Sequence, residues 1–173
     1  MTKQDIINQF QLRNIDKQNL FINPDSLLNE NSVSVVVRKH RFSEKNADNA
    51  GIIRSDEFVK NTIQYIKKAA NYMKSQMDNP KFYIFSNDTN NLNQYFSEKD
   101  NFFLINHKVN KPINDFYLST LCKHFIVGPS TFHWWSAYLS KNRNKICVHA
   151  DDQLKFSSNK DIYPKSWRKI NFL

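Results

Sequence analysis

Arg38 directly follows Val33–Val37, a nearly continuous run of β-branched residues. A guanidinium at the end of a strand covered on both faces is costly unless it meets an anion. That anion is either a structural carboxylate or a ligand phosphate. Lys39, His40 and Arg41 add positive charge beside it and favour phosphate. Asp88 follows a second apolar run, KFYIFS at residues 81–86. It could cap the next helix, as an Asn-Asp-Thr turn often does, or accept the adjacent N–H donors of a guanine base. Ser130 and Thr131 follow a third run, Phe125 to Val127, across Gly128-Pro129, and open a helical pattern. Unsatisfied N–H groups and the positive end of a helix dipole, beside two hydroxyls, make an anion site. A phosphate-bearing ligand is the first expectation.

The elements that must position these groups alternate. Strand-length apolar runs at 33–37, 81–86, 102–105, 125–127 and 146–149 are separated by helix-period segments. Asp56 to Gln76 places Phe58, Ile63, Ile66, Ala69, Ala70 and Met73 on one helical face, with Ser55 as the predicted cap after a loop over 39–54. A short helix is predicted near Leu92–Phe96, and longer ones over Pro112–Leu121 and Thr131–Ser140. The tail from Asp151 reads as loop, with Tyr163, Pro164 and Trp167 packing back on the domain. Such alternation predicts an α/β fold: a mostly parallel sheet with helices on both faces and ligands outside the strands' carboxyl ends. Arg38 with Lys39, Asn87 with Asp88, and Ser130 with Thr131 all fall at those ends. Residues 1–30 read as a helical arm and connector, and residues 31–173 as the domain.

Composition narrows the ligand class. The 14 Phe, 7 Tyr and 3 Trp can fill a core, which excludes a disordered chain. A net charge of +9 suits anionic partners, but its lysines are scattered and no arginine–aromatic cluster occurs, so a nucleic-acid partner is not expected. Cys122 and Cys147 lie at or in apolar segments and read as buried reduced thiols, placing the chain in the cytoplasm or another reducing compartment, with a peripheral membrane association open. MTKQDIINQF lacks the pattern of a signal peptide, and no run approaches the ~18 apolar residues of a transmembrane helix. Two glycines cannot build a GxGxxG or Walker loop. His124, His133 and His149 lack ligand spacing with the cysteines, so neither a metal nor a permanently bound cofactor is expected.

Three blocks resemble the α-1,2-fucosyltransferases of glycosyltransferase family eleven. SVSVVVRKHRF (32–42) is similar to the family's strand ending in His-x-Arg-Arg-Gly-Asp, and FYIFSND (82–88) to its Phe-Ser-Asp-Asp block. STFHWWSAYL (130–139), preceded by DFYLSTLCKHFIV, is similar to its Ser-Ser-Phe-Ser-Trp-Trp-Gly-Ala-Trp-Leu block. The resemblance implies a Rossmann-like sheet forming the C-terminal, donor-binding lobe of a two-lobed GT-B glycosyltransferase. It further implies transfer of L-fucose from GDP-fucose to a glycan hydroxyl, with inversion and without a metal ion. Carried over by position, Arg38 grips the β-phosphate and serves catalysis by stabilising the leaving diphosphate, with Lys39 beside it. Asp88 meets guanine, and Ser130 and Thr131 complete the phosphate site. Val36 stands where the family has histidine, Lys39 replaces the second arginine, His40-Arg41 replaces Gly-Asp, Asn87 the first acid of the second block, and Pro129 a frequent asparagine. The alternative is therefore a non-catalytic binding or scaffold module derived from such a lobe. Partners implied are a nucleotide sugar, a glycan acceptor, and a missing N-terminal lobe, partner domain or second copy. Asp48, Asp56 and Glu57 are candidate general bases, with nothing in the sequence ranking them.

Overall fold

The computed structural model describes residues 20–39, 50–106, 112–150 and 162–171, with positions 5, 6, 8, 10, 12, 15 and 17 before them; over 50–56 it describes the backbone alone. His40, Arg41, Asp48 and the side chain of Asp56 lie outside the described residues.

Six strands form one parallel sheet: β1 (Ser32–Val37), β2 (Lys81–Ser86), β3 (Phe102–Leu104), β4 (His124–Val127), β5 (Cys147–Ala150) and β6 (Arg168–Ile170). Their order is β3-β2-β1-β4-β5-β6, every pairing parallel. The sheet is Rossmann-like, and its order reverses between β1 and β4. All six residues of β1 are buried, as its β-branched run predicts for a central strand. Val33, Val35 and Val37 pack with Ile63, Ile66 and Met73. The latter lie on α2 (Ala50–Gln76), the long helix on that face. Val36 points the other way, among Leu27, Leu118, Phe125 and Ala137. These come from β4 and from α1 (Pro24–Asn29), α3 (Pro112–Leu121) and α4 (Thr131–Leu139). Fully burying each such aliphatic side chain stabilises by about 1.5–3 kcal/mol.

The structure departs from the sequence reading at three places. The long helix begins at Ala50, so Ser55 lies inside it and does not cap it. Residues 92–94 form a single 3-10 turn whose N-cap is Asn91, not Asp88. A sixth strand, Arg168–Ile170, pairs with β5 in the tail read as loop. The expected packing-back of that tail holds. Trp167 is buried, its ring 5.9 Å from that of Trp134, whose indole N–H donates to Ile162 O at 2.9 Å. Both cysteines are buried and form no disulfide. Among the described residues no helix is long and apolar enough to cross a membrane.

Sharp turns fall to asparagine in this glycine-poor chain. Asn79, Asn91 and Asn101 all have positive φ, the backbone region that asparagine tolerates better than other side chains do. At the amino ends of the strands Glu30 ties β1's approach to β2, accepting from Lys81 Nζ at 2.8 Å and Tyr83 Oη at 2.7 Å.

Candidate functional site

At the sheet's switch point the chains leaving β1 and β4 diverge to opposite faces and leave a crevice between them. A cavity of about 240 Å³ lies there, lined by Arg38 after β1, Asn87 after β2, and Ser130 after β4. Asp115, from the first turn of α3, completes the polar side, and Val36, Phe85, Pro112 and Phe132 form apolar walls. The amino ends of two helices, α3 and α4, therefore face the same space as a guanidinium. Each end carries N–H groups without intrahelical partners and the positive pole of its dipole. One oxygen of the Asp115 carboxylate, Oδ1, is buried in this wall. An acid in the first turn complements the α3 dipole and gives the cavity a carboxylate beside the guanidinium.

Ser130 is the N-cap of α4 and almost fully buried, yet its hydroxyl makes no capping bond. Its own N–H donates to Gly128 O at 2.8 Å, folding Gly128-Pro129-Ser130 into a tight turn. A Cβ built on Gly128 would stand 3.1 Å from Val36 O, so the turn passes hard against β1.

The five residues expected at the site from sequence do not all share this cavity. Arg38 and Ser130 line it together; Thr131 starts α4 but is exposed and does not line it. Lys39 and Asp88 meet each other beside it, Nζ to Oδ2 at 3.2 Å. Lys39 Nζ also donates to Asn90 O, and Asn87 Oδ1 accepts the Lys39 backbone N–H at 3.0 Å. Asp88 Oδ1 accepts from Asn90 N at 2.9 Å, an Asx turn instead of the helix cap that the sequence allowed. Asp115, Phe85 and Phe132 were not legible as site residues; only the start of α3 at Pro112 placed Asp115 near a strand end. Of the candidate bases, Glu57 is exposed on α2.

Below the turn, His133 is completely buried, and burial pushes its imidazole down to about 3, so it is neutral. A larger hollow, about 980 Å³, lies near the amino ends of the strands, where Phe10 meets Phe116 and Leu121. Among the described residues its charged lining is Lys17, Lys123 and Lys141, without the convergence seen at the switch point. Among the described residues no group of three His, Cys, Asp or Glu side chains is placed to hold a metal ion.

An O-antigen biosynthesis glycosyltransferase, WbnK, of Escherichia coli is 23% identical over 168 residues, covering 88% of this chain and 56% of that protein. A galactoside 2-alpha-L-fucosyltransferase of Caenorhabditis elegans is 27% identical over 100 residues, 51% of this chain and 28% of its own length. The chain thus spans about half the length, or less, of these curated relatives. No solved structure matches it significantly. The sequence model of glycosyl transferase family 11 matches residues 6–171, nearly the whole chain, and the chain belongs to that family.

Proposed function

We propose that the chain is the donor-binding lobe of a GT-B glycosyltransferase that moves L-fucose from GDP-fucose to a glycan hydroxyl with inversion. The observation that carries this reading is the convergence of Arg38, Ser130 and two helix amino ends on one cavity at the switch point. Arg38 and the α4 end take the diphosphate, and Thr131 contributes from the rim. In the reaction an acceptor oxygen attacks the anomeric carbon and the carbon–oxygen bond to the β-phosphate breaks. GDP leaves with the electron pair, and the acceptor proton passes to a base. Charge on the departing diphosphate grows through the step, so a guanidinium fixed beside it lowers the barrier. Asp88 is the proposed guanine acceptor. Because Lys39 and Asn90 already engage its oxygens, guanine would compete with the ion pair.

GDP, UDP and dTDP at 1 mM, each followed by thermal unfolding, test the donor. A Kd of about 10 µM gives roughly 2.7 kcal/mol of stabilisation. For a domain of this size that raises Tm by about 5–10 °C. GDP alone is expected to do so, and no shift with any of the three sinks the reading.

The Lys39–Asp88 pair favours a second reading, a binding module derived from such a lobe, since it holds the carboxylate away from a base. That reading expects no GDP release from GDP-fucose across a panel of glycan acceptors.

A further inference from the structure

We infer that His133 is a positioning residue for the anion site: it holds the Gly128 amide, so that the Gly128–Ser130 turn presents the Ser130 hydroxyl to the cavity instead of to the helix cap. The inference rests on the donor-site reading above and concerns how that site is built.

His133 occupies the third position of α4, and its Nδ1 accepts the Gly128 N–H at 3.2 Å. In an ordinary capping box the third residue reaches back to the amide of the N-cap itself. Here the reach is two residues longer and fixes the strand-to-helix turn before Ser130. On its other side the turn rests against the backbone of β1 at Val36 O. Clamped between imidazole and strand, it needs no bond from the Ser130 hydroxyl, and the structure shows none to the helix.

The imidazole is itself held in one tautomer. Since Nδ1 accepts, the ring proton sits on Nε2, which faces Ser34 Oγ on β1 at 3.2 Å. Ser34 then donates to Ser119 Oγ on α3 at 2.7 Å, and Ser119 to Ser136 Oγ on α4 at 2.9 Å. Ser136 closes the circuit on His133 O at 2.9 Å. Every hydroxyl donates once and accepts once, and all four side chains are completely buried. The direction of each bond follows from the one before, so the circuit has a single consistent arrangement.

Two substitutions separate the contacts. His133→Asn keeps an acceptor near the Nδ1 position but cannot reach Ser34; His133→Gln reaches towards Ser34 but leaves the Gly128 amide without its acceptor. Ser34→Ala cuts the circuit and spares the Gly128 contact. GDP affinity by calorimetry is expected to stay within threefold of the parent in His133→Asn and Ser34→Ala, and to fall at least tenfold in His133→Gln. Amide exchange read by NMR is expected to leave Gly128 protected in the first two and open in the third. Equal GDP affinity in His133→Asn and His133→Gln, whether kept or lost, overturns the inference, as does a tenfold loss in Ser34→Ala. If the parent binds no GDP, the donor reading fails. Gly128 exchange alone then decides the positioning role: protection in His133→Asn and Ser34→Ala with opening in His133→Gln sustains it. If His133→Gln does not fold, the inference stands when the other two keep affinity and Gly128 protection, and falls when either loses them.

Discussion

Arg38 stands one residue beyond a strand with no exposed side chain, and the cavity it lines holds two serines, an asparagine and a carboxylate. Arg38→Ala is expected to weaken GDP binding by about 1.5–3 kcal/mol, the scale of a charge-assisted hydrogen bond. Tm without ligand should move far less. An unfolded variant, or one with unchanged affinity, would make Arg38 a structural ion-pair member. Arg38 and Ser130 were legible because each ends an apolar run, and parallel topology turns such ends into neighbours. Lys39 and Asp88 were named separately, and their pairing across 49 residues of sequence was not legible. His133 was set aside for lacking ligand spacing, since its ring partners at 34 and 128 form no local pattern. Asp115 carried no signal beyond its place in a first helical turn.

Between strand and helix, the β4–α4 connection sets the shape of the cavity. Gly128→Ala puts a methyl 3.1 Å from a backbone oxygen of the central strand, which is held by ladders on both sides. Overpacking there is expected to cost about 1–3 kcal/mol, read as a lower urea midpoint with an unchanged m-value. A neutral result would show that the turn can back away from β1. Most elements were readable from period alone: α3 matched its predicted bounds, and five strands fell within a residue or so of theirs. The sixth was not, because Arg168–Ile170 has two exposed charged residues and only three positions in which to alternate. The start of α2 was missed because residues 50–55 carry Gly51 and no clear apolar stripe. Among the described residues the three positions of positive φ are all asparagines, which no apolar period marks.

Across the whole molecule, the circuit around His133 joins β1, α3 and α4, so its protonation state bears on global stability. The unfolded chain takes up that proton near pH 6.5, the folded one only near about 3. Between those values the unfolded state binds more protons, so stability is complete above about 6.5 and falls as pH drops. The slope approaches about 1.4 kcal/mol per unit for this one group. Glu30 acts in the same direction at lower pH: burial raises its carboxyl, but hydrogen bonds from Lys81 and Tyr83 outweigh that and hold it below the usual value. Urea midpoints at pH 7.5, 6.5 and 5.5 should decline between the last two, and a flat profile contradicts a buried neutral imidazole. A mostly parallel sheet was implied by strand–helix alternation, whereas its strand order, its reversal point and the assignment of α2 to one face and three helices to the other needed the coordinates. The chain's three indoles belong to one cluster, Trp134 touching both Trp135 and Trp167, and two of them ride on the helix whose first turn walls the cavity. Intrinsic emission therefore arises from a single patch, which gives the protein a native optical probe of ligand arrival that needs no label.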